Sequence, residues 1–141
     1  MKLYFPEIDF AAAHYIPKHE KCHVIHGHTY FVRNLTIEVD GFGLDNKGMS
    51  VDFGIIKGFF KKEWDHKFIV PDSDGSKWVE ACKEIDPFMA LAIRPLRYTT
   101  AEWMAVVIRR DLGKELGWDE ATAAMNIHFE LWEGPHQAVI V

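Results

Sequence analysis

The order of its secondary-structure patterns limits the folds open to this chain more than any other feature of its sequence. Runs rich in aromatic and β-branched residues, which are typical of β-strands, occur twice near the start and twice near the end. Between them, apolar side chains recur twice at helical spacing. The predicted strands are residues 2–16, 29–39, 125–133 and 137–141. Two strands, two helices and two strands in this order predict an α+β fold, with the helices on one face of an antiparallel sheet.

Capping residues set the expected limits of the two helices. The first helix is predicted over residues 51–64, with Ser50 or Asp52 as its N-cap. The second begins near Thr99, which has the spacing of a capping box with Glu102. One of two glycines is predicted to end this helix, Gly113 or Gly117.

Two segments carry weaker patterns. Residues 40–48 are rich in glycine, aspartate and asparagine, and they are predicted to form a turn. Residues 68–97 show no sustained periodicity, so we expect an irregular insertion with one short helix at 78–83. We interpret Arg94 and Arg97 in this insertion as surface charges rather than as contacts for an anionic ligand.

Composition and charge narrow the class of protein. With 141 residues, 48% of them hydrophobic, the chain is expected to form one domain, residues 1–141. The net charge of −5 argues against a broad nucleic-acid-binding surface. Apolar runs are too short to span a membrane and the first residues lack a signal peptide, so we expect a cytoplasmic protein. Cys22 and Cys82 form no CxxC pair, which favours neither a disulfide framework nor a cysteine-rich zinc site.

A cluster of histidines lies where the second strand is expected to begin. The stretch KCHVIHGHTYFV contains Cys22, His26 and His28. Residues i and i+2 of a strand point the same way, so His26 and His28 project two imidazoles from one face. His14, which follows a strand-like run in the neighbouring segment, is the candidate for a third nitrogen. Three histidines leave zinc an open fourth position, as in catalytic sites; the alternative is that HGH is only the polar end of a strand.

Two further positions suggest proton chemistry or ligand binding. Asp65 directly precedes His66 at the end of the first helix, where a carboxylate can hold an imidazole in one tautomer as a proton relay. The alternative is a solvated helix end, where a histidine is favoured by the helix dipole. Glu133 stands at the end of a predicted strand, and most glutamates in such positions are surface residues.

Taken together, these residues resemble one protein family over nearly the whole chain. The matching features, in chain order, are His14 in FAAAH, Cys22 in CxxxHGH, the helix start VDFGIIK, the pair Asp65 and His66, Thr100 with Glu102, and Glu133. They are similar to the 6-pyruvoyltetrahydropterin synthase and 6-carboxytetrahydropterin synthase family. The three residues between Cys22 and His26 resemble the spacing of the 6-carboxytetrahydropterin synthases of queuosine biosynthesis.

The resemblance implies a tunnelling fold and an oligomer. Each subunit would contribute a four-stranded antiparallel sheet with two helices on its outer face. Three subunits would close a barrel and two trimers would stack, giving a homotrimer or homohexamer with active sites between subunits.

The resemblance also implies a reaction and the residues that perform it. Three residues are implied to bind zinc: His14, His26 and His28. Four are implied to act on the substrate: Cys22 as proton acceptor, Asp65 with His66 as a relay, and Glu133 as the anchor of the pterin ring. The implied substrate is 7,8-dihydroneopterin triphosphate, which is converted to 6-carboxy-5,6,7,8-tetrahydropterin with loss of triphosphate and acetaldehyde. The zinc ligands do not separate this activity from that of a 6-pyruvoyltetrahydropterin synthase.

Other functions stay open at this point. A non-catalytic pterin-binding or metal-binding protein on the same scaffold would keep the three histidines and Glu133. It would not need Cys22 together with Asp65 and His66, and the presence of all three favours an enzyme. A zinc deaminase is disfavoured because no PCxxC follows the HFE stretch, and a zincin is disfavoured because HExxH is absent.

Overall fold

A computed structural model of the chain describes residues 1–40 and 43–141. The strands are β1 (Lys2–His14), β2 (His26–Glu38), β3 (Lys67–Pro71), β4 (Ile93–Leu96), β5 (Ile127–Glu133) and β6 (Ala138–Ile140). The helices are α1 (Phe53–Glu63), α2 (Gly75–Ile85), α3 (Pro87–Ala90), α4 (Ala101–Glu115) and α5 (Glu120–Asn126), and a short 3-10 turn, Asp72–Asp74, precedes α2. The predicted turn at 40–48 includes positions 41 and 42, which lie outside the described residues.

The described strands form one mixed sheet in the order β4-β3-β1-β2-β5-β6. The pairs β1 with β2, β2 with β5, and β5 with β6 are antiparallel, as the order of the sequence patterns predicts. Strands β3 and β4 add two parallel strands beside β1, so the prediction of a four-stranded antiparallel sheet is wrong, and the described sheet is mixed with six strands. Pro95 lies within β4, which is an edge strand of the described sheet and so tolerates a residue without an N–H donor.

The core lies between this sheet and helices α1 and α4. Helix α1 buries Ile56, Phe59 and Phe60, and the ring of Phe60 stacks on that of Phe10 from β1 with centroids 6.3 Å apart. The apolar stripe of α4 is buried through Met104, Val107, Ile108 and Leu112. The helices therefore cover one face of the sheet, as predicted.

The helix boundaries confirm some capping predictions and correct others. Asp52 is the N-cap of α1, and its carboxylate accepts from the N–H of Gly54 at 2.7 Å. The capping box predicted from Thr99 is wrong by one residue, because Thr100 is the N-cap of α4. Gly117 follows the end of α4 with a φ of 76°, whereas Gly113 lies inside the helix.

The segment between α1 and α4 is regular, which corrects the prediction of an irregular insertion. It contains β3, α2, α3 and β4, and the short helix expected at 78–83 spans Gly75–Ile85. Helix α5 was also not predicted. It extends to Asn126, so the strand that was expected to begin at residue 125 begins at Ile127. None of the helices in the described part of the chain is long and apolar enough to cross a membrane.

Candidate functional site: a three-histidine centre beside two cavities

Pairing of the first two strands brings the three predicted histidines together. In the antiparallel register, His14 at the end of β1 lies opposite His26 at the start of β2. His28 is two residues further along β2, on the same face as His26. One ring nitrogen of each histidine lies within 4.8 Å of the others. The predicted convergence of His14, His26 and His28 is confirmed, and these side chains can hold a metal ion.

Backbone carbonyls fix the tautomers of two of the histidines. The Nδ1 of His14 donates to the carbonyl of Thr99 at 2.7 Å, and the Nδ1 of His26 donates to the carbonyl of Val24 at 2.7 Å. A carbonyl oxygen can only accept, so Nδ1 carries a proton in both rings, and Nε2 is the nitrogen through which either ring would bind a metal. This is the arrangement by which proteins orient histidine ligands of metals.

Burial keeps His14 in the form that binds a metal. The His14 side chain is 1% exposed, and this burial lowers its pKa. Its Nε2 is buried without a hydrogen-bond partner among the described residues. An unpartnered buried acceptor is costly unless something electropositive binds it. Neutral imidazoles are good zinc ligands, so the residues present fit a zinc ion.

Glu133 lies directly beside this cluster. Its Oε1 is 3.4 Å from Nε2 of His14 and 3.7 Å from Nε2 of His28. The hydroxyl of Tyr30 donates to the same oxygen at 3.0 Å, and the amide of Gln137 donates to Oε2 at 3.1 Å. Burial raises the pKa of Tyr30 above its usual range, so the hydroxyl stays protonated and acts as a donor. The alternative that Glu133 is an ordinary surface residue does not hold, since its side chain is 17% exposed.

A cavity of about 460 Å³ is lined by both Cys22 and Glu133. The other lining residues come from the loop before β2, the start of α4 and the end of the sheet: Ile16, His19, Thr100, Ala101, Glu102, Gln137, Ala138 and Val139. The backbone of Cys22 makes two hydrogen bonds within its loop. The Cys22 carbonyl accepts from Ile16 N–H at 2.7 Å, and the Cys22 N–H donates to His19 Nδ1 at 3.1 Å.

Asp65 and His66 form the predicted pair, but His66 lies on a different cavity. The Nδ1 of His66 is 2.9 Å from Asp65 Oδ2, and Asp65 Oδ1 accepts from the N–H of Ala11 at 3.0 Å. The N–H of Ala11, followed by His66, lowers the pKa of Asp65. His66, which is 86% exposed, lines a cavity of about 510 Å³ together with His28, and Cys22 is not among its lining residues. Within one chain, therefore, the relay pair does not share a cavity with Cys22.

Three supporting residues were not predicted from the sequence. Tyr30 lies on β2 two residues after His28, so strand alternation alone places it on the histidine face. Thr99 supplies the carbonyl that orients His14, and Gln137 holds Glu133. No local signal marks these two, because each acts on a residue from another part of the chain.

Arg94 is not a surface charge, which corrects its interpretation. Its guanidinium is 3.0 Å from Glu63 and 3.0 Å from Asp111, and its side chain is 15% exposed. It also lies over the ring of Trp64, 4.3 Å from the centroid. Arg94 therefore joins α1, β4 and α4 through its two ion pairs.

These features define a class of protein: an α+β fold whose sheet carries a three-histidine metal-type site next to a carboxylate and a cysteine-lined cavity. The model of the family described as 6-pyruvoyl tetrahydropterin synthase matches residues 5–141. The chain therefore belongs to the 6-pyruvoyl tetrahydropterin synthase family, which is a family of enzymes.

Curated relatives and solved structures agree with this assignment. The 6-carboxy-5,6,7,8-tetrahydropterin synthase of Rickettsia typhi is 34% identical over 119 residues, which are 80% of this chain and 81% of the relative. The protein of the same name from Rickettsia bellii is 30% identical over 135 residues, 92% of this chain and 91% of the relative. The structure of the Plasmodium falciparum 6-pyruvoyl tetrahydropterin synthase has a TM-score of 0.58 at 21% identity, over 100% of this chain and 94% of that one. This likeness supports the tunnelling fold.

Proposed function

We propose that this chain is a zinc-dependent 6-carboxy-5,6,7,8-tetrahydropterin synthase. It would act on 7,8-dihydroneopterin triphosphate and release triphosphate and acetaldehyde, as in queuosine biosynthesis. The observation that carries the proposal is the convergence of three imidazoles beside Glu133, with the Nδ1 protons of His14 and His26 held by carbonyls. The names of the curated relatives favour the 6-carboxy product over the 6-pyruvoyl product.

The proposal assigns the metal to the three histidines. His14, His26 and His28 would hold the zinc ion through ring nitrogens that lie within 4.8 Å of one another. Bound zinc supplies a Lewis acid that polarises the oxygens of the substrate side chain and acidifies the neighbouring C–H. The open fourth position is expected of a catalytic rather than a structural zinc site.

The cavity lined by Cys22 and Glu133 would receive the pterin. A carboxylate can pair with the ring N–H and amino groups through both oxygens, and Glu133 lies at the wall of this cavity. Cys22, on the same cavity, would accept the proton from the substrate side chain as a thiolate. The anchor and the base are then within reach of one bound molecule, with the histidines close to Glu133.

The exposed relay pair supports an active site shared between subunits. Asp65 would hold His66 in the tautomer that returns a proton, because the carboxylate lies 2.9 Å from Nδ1. His66 is largely exposed and does not line the Cys22 cavity, and in the proposal a partner subunit completes the site. The proposal therefore includes a single tunnelling-fold domain over residues 1–141 that assembles into trimers or hexamers.

Product analysis tests the proposal directly. The purified protein is incubated with zinc and 7,8-dihydroneopterin triphosphate, and the products are identified by mass. The proposal predicts 6-carboxytetrahydropterin, triphosphate and acetaldehyde. A product that retains the rearranged side chain would assign the 6-pyruvoyl reaction instead. Unchanged substrate that is nevertheless bound would favour a binding protein.

A further inference from the structure

Glu133 directs one carboxylate oxygen at two of the three histidines. Oε1 of Glu133 faces Nε2 of His14 at 3.4 Å, while Nδ1 of the same ring donates to the carbonyl of Thr99. The hydroxyl of Tyr30 donates to Oε1 from another direction. Nε2 of His14 is buried and has no hydrogen-bond partner among the described residues, so a metal ion bound there would also face Oε1. The contact therefore suggests that the carboxylate faces the metal.

The distances from Glu133 to two of the histidines are close to those between ligands of one metal ion. With bonds of about 2.0 to 2.1 Å to zinc, neighbouring ligand atoms of a tetrahedron lie roughly 3.3 Å apart. Oε1 of Glu133 is 3.4 Å from the nitrogen of His14 and 3.7 Å from that of His28. A shift of a few tenths of an ångström brings the oxygen to the ligand separation for both.

We propose that Glu133 is the fourth ligand of the metal in the substrate-free protein, and that the pterin ring draws it away. This inference rests on the proposed function, which gives the metal to the three histidines and the ring to Glu133. Tyr30 and Gln137 are positioning residues, since they hold Oε1 toward the histidines and Oε2 toward the cavity. The carboxylate thus closes the metal site against other ligands until a ring with N–H donors competes for it.

This exchange links substrate recognition to access to the metal. A carboxylate that pairs with the ring through both oxygens has to turn away from the histidines. The position that it leaves is then open to the side chain of the same substrate. A ligand that lacks the donor edge of the pterin ring leaves Glu133 in place, so the site discriminates against other hydroxylated phosphates.

The test uses the metal alone and two matched variants. The full-length protein is loaded with Co²⁺ in place of zinc, and its visible spectrum, which depends on the number and kind of ligands, is recorded for the parent, Glu133→Gln and Glu130→Gln. Glu130 is the control because it lies on the same strand but bonds to Asn34 and Trp132. Zinc affinity is measured by competition with a chelator, and circular dichroism checks that each variant is folded.

We expect Glu133→Gln to shift the cobalt bands and to weaken zinc binding by roughly 10 to 100-fold, the loss typical of groups that support a metal site. Glu130→Gln should match the parent in both respects. A change in affinity without a change in the bands would show that Glu133 acts only through its charge, and would overturn the inference.

The second arm adds pterin without a side chain to the cobalt protein. The parent bands are expected to shift toward those of Glu133→Gln as the ring binds, because the carboxylate leaves the metal. Bound pterin with unchanged bands would overturn the exchange. These outcomes are separate from the proposed function: if the parent converts dihydroneopterin triphosphate while Glu133→Gln keeps the parent spectrum, the enzyme assignment stands and Glu133 is an anchor only.

Discussion

Replacement of Cys22 by alanine is expected to separate proton transfer from every other property of the site. A positioned general base is worth roughly 10² to 10⁴ in rate. At about 1.4 kcal/mol per tenfold, this loss corresponds to roughly 3 to 5.5 kcal/mol of barrier height. Cys22 is half-buried at the wall of an open cavity, so loss of its sulfur should change the free energy of unfolding by about 0.5 kcal/mol or less.

Cys82 provides a control with the opposite profile. Its side chain is 6% exposed in α2, and it does not line the cavity of Cys22 and Glu133. Cys82→Ala leaves a small void in packed surroundings and is expected to cost roughly 1 kcal/mol. For a domain of this size that cost lowers the melting temperature by roughly 3 to 5 °C. Turnover of this variant should equal that of the parent.

The assay measures turnover, zinc content, pterin binding and melting temperature for both variants. The reasoning predicts that Cys22→Ala loses turnover but keeps zinc and pterin binding, whereas Cys82→Ala loses stability but keeps turnover. Turnover of Cys22→Ala at the parent rate would refute the role of Cys22. Loss of zinc from Cys22→Ala would refute the assignment of Cys22 to proton transfer and not to the metal.

Three further predictions concern the relay, the core and the assembly. The pKa of Asp65 is lowered in the folded protein, so its contribution to stability is complete above about pH 3.9 and is lost as the pH falls through the lower folded pKa. In acid denaturation below this pH, the stability of the parent should therefore fall more steeply than that of Asp65→Asn. Equal slopes for the two proteins would contradict this prediction. A Cβ added at Gly113 would collide with the Cβ of Ala123. Gly113→Ala should therefore lower the free energy of unfolding, measured by urea denaturation, by about 1 kcal/mol in spite of the better helix propensity of alanine. A stabilised variant would show that the two helices can move apart to accept the extra methyl group. Analytical ultracentrifugation should show trimers or hexamers, since unpaired strand edges are covered by assembly, and a fully active monomer would argue against a shared site.

Local periodicity was sufficient to predict the metal-type site. Alternation along a strand places His26 and His28 on one face, and the antiparallel pairing of β1 with β2 brings His14 opposite them. The same alternation reaches Tyr30, which was overlooked because a tyrosine in a strand is ordinarily a core residue. These predictions depend on backbone geometry that is set by only one strand pairing.

Features that depend on distant partners were not predictable from the sequence. Glu133 lies beside His14 only because β5 pairs with β2, and its sequence neighbours resemble those of a surface strand end. Arg94 is part-buried because Glu63 and Asp111 approach it from two helices. Strand β3 was not predicted because it has only five residues and is parallel to its partner β1, so no hairpin turn in the sequence marks it.

Zinc content and turnover, measured together, test the central claim most directly. The purified parent, His26→Ala and His28→Ala are analysed for metal and incubated with 7,8-dihydroneopterin triphosphate. Since both histidines belong to the converging set, the account predicts about one zinc per chain and conversion for the parent, and neither for the two variants. Full zinc and parent turnover in both variants would contradict it.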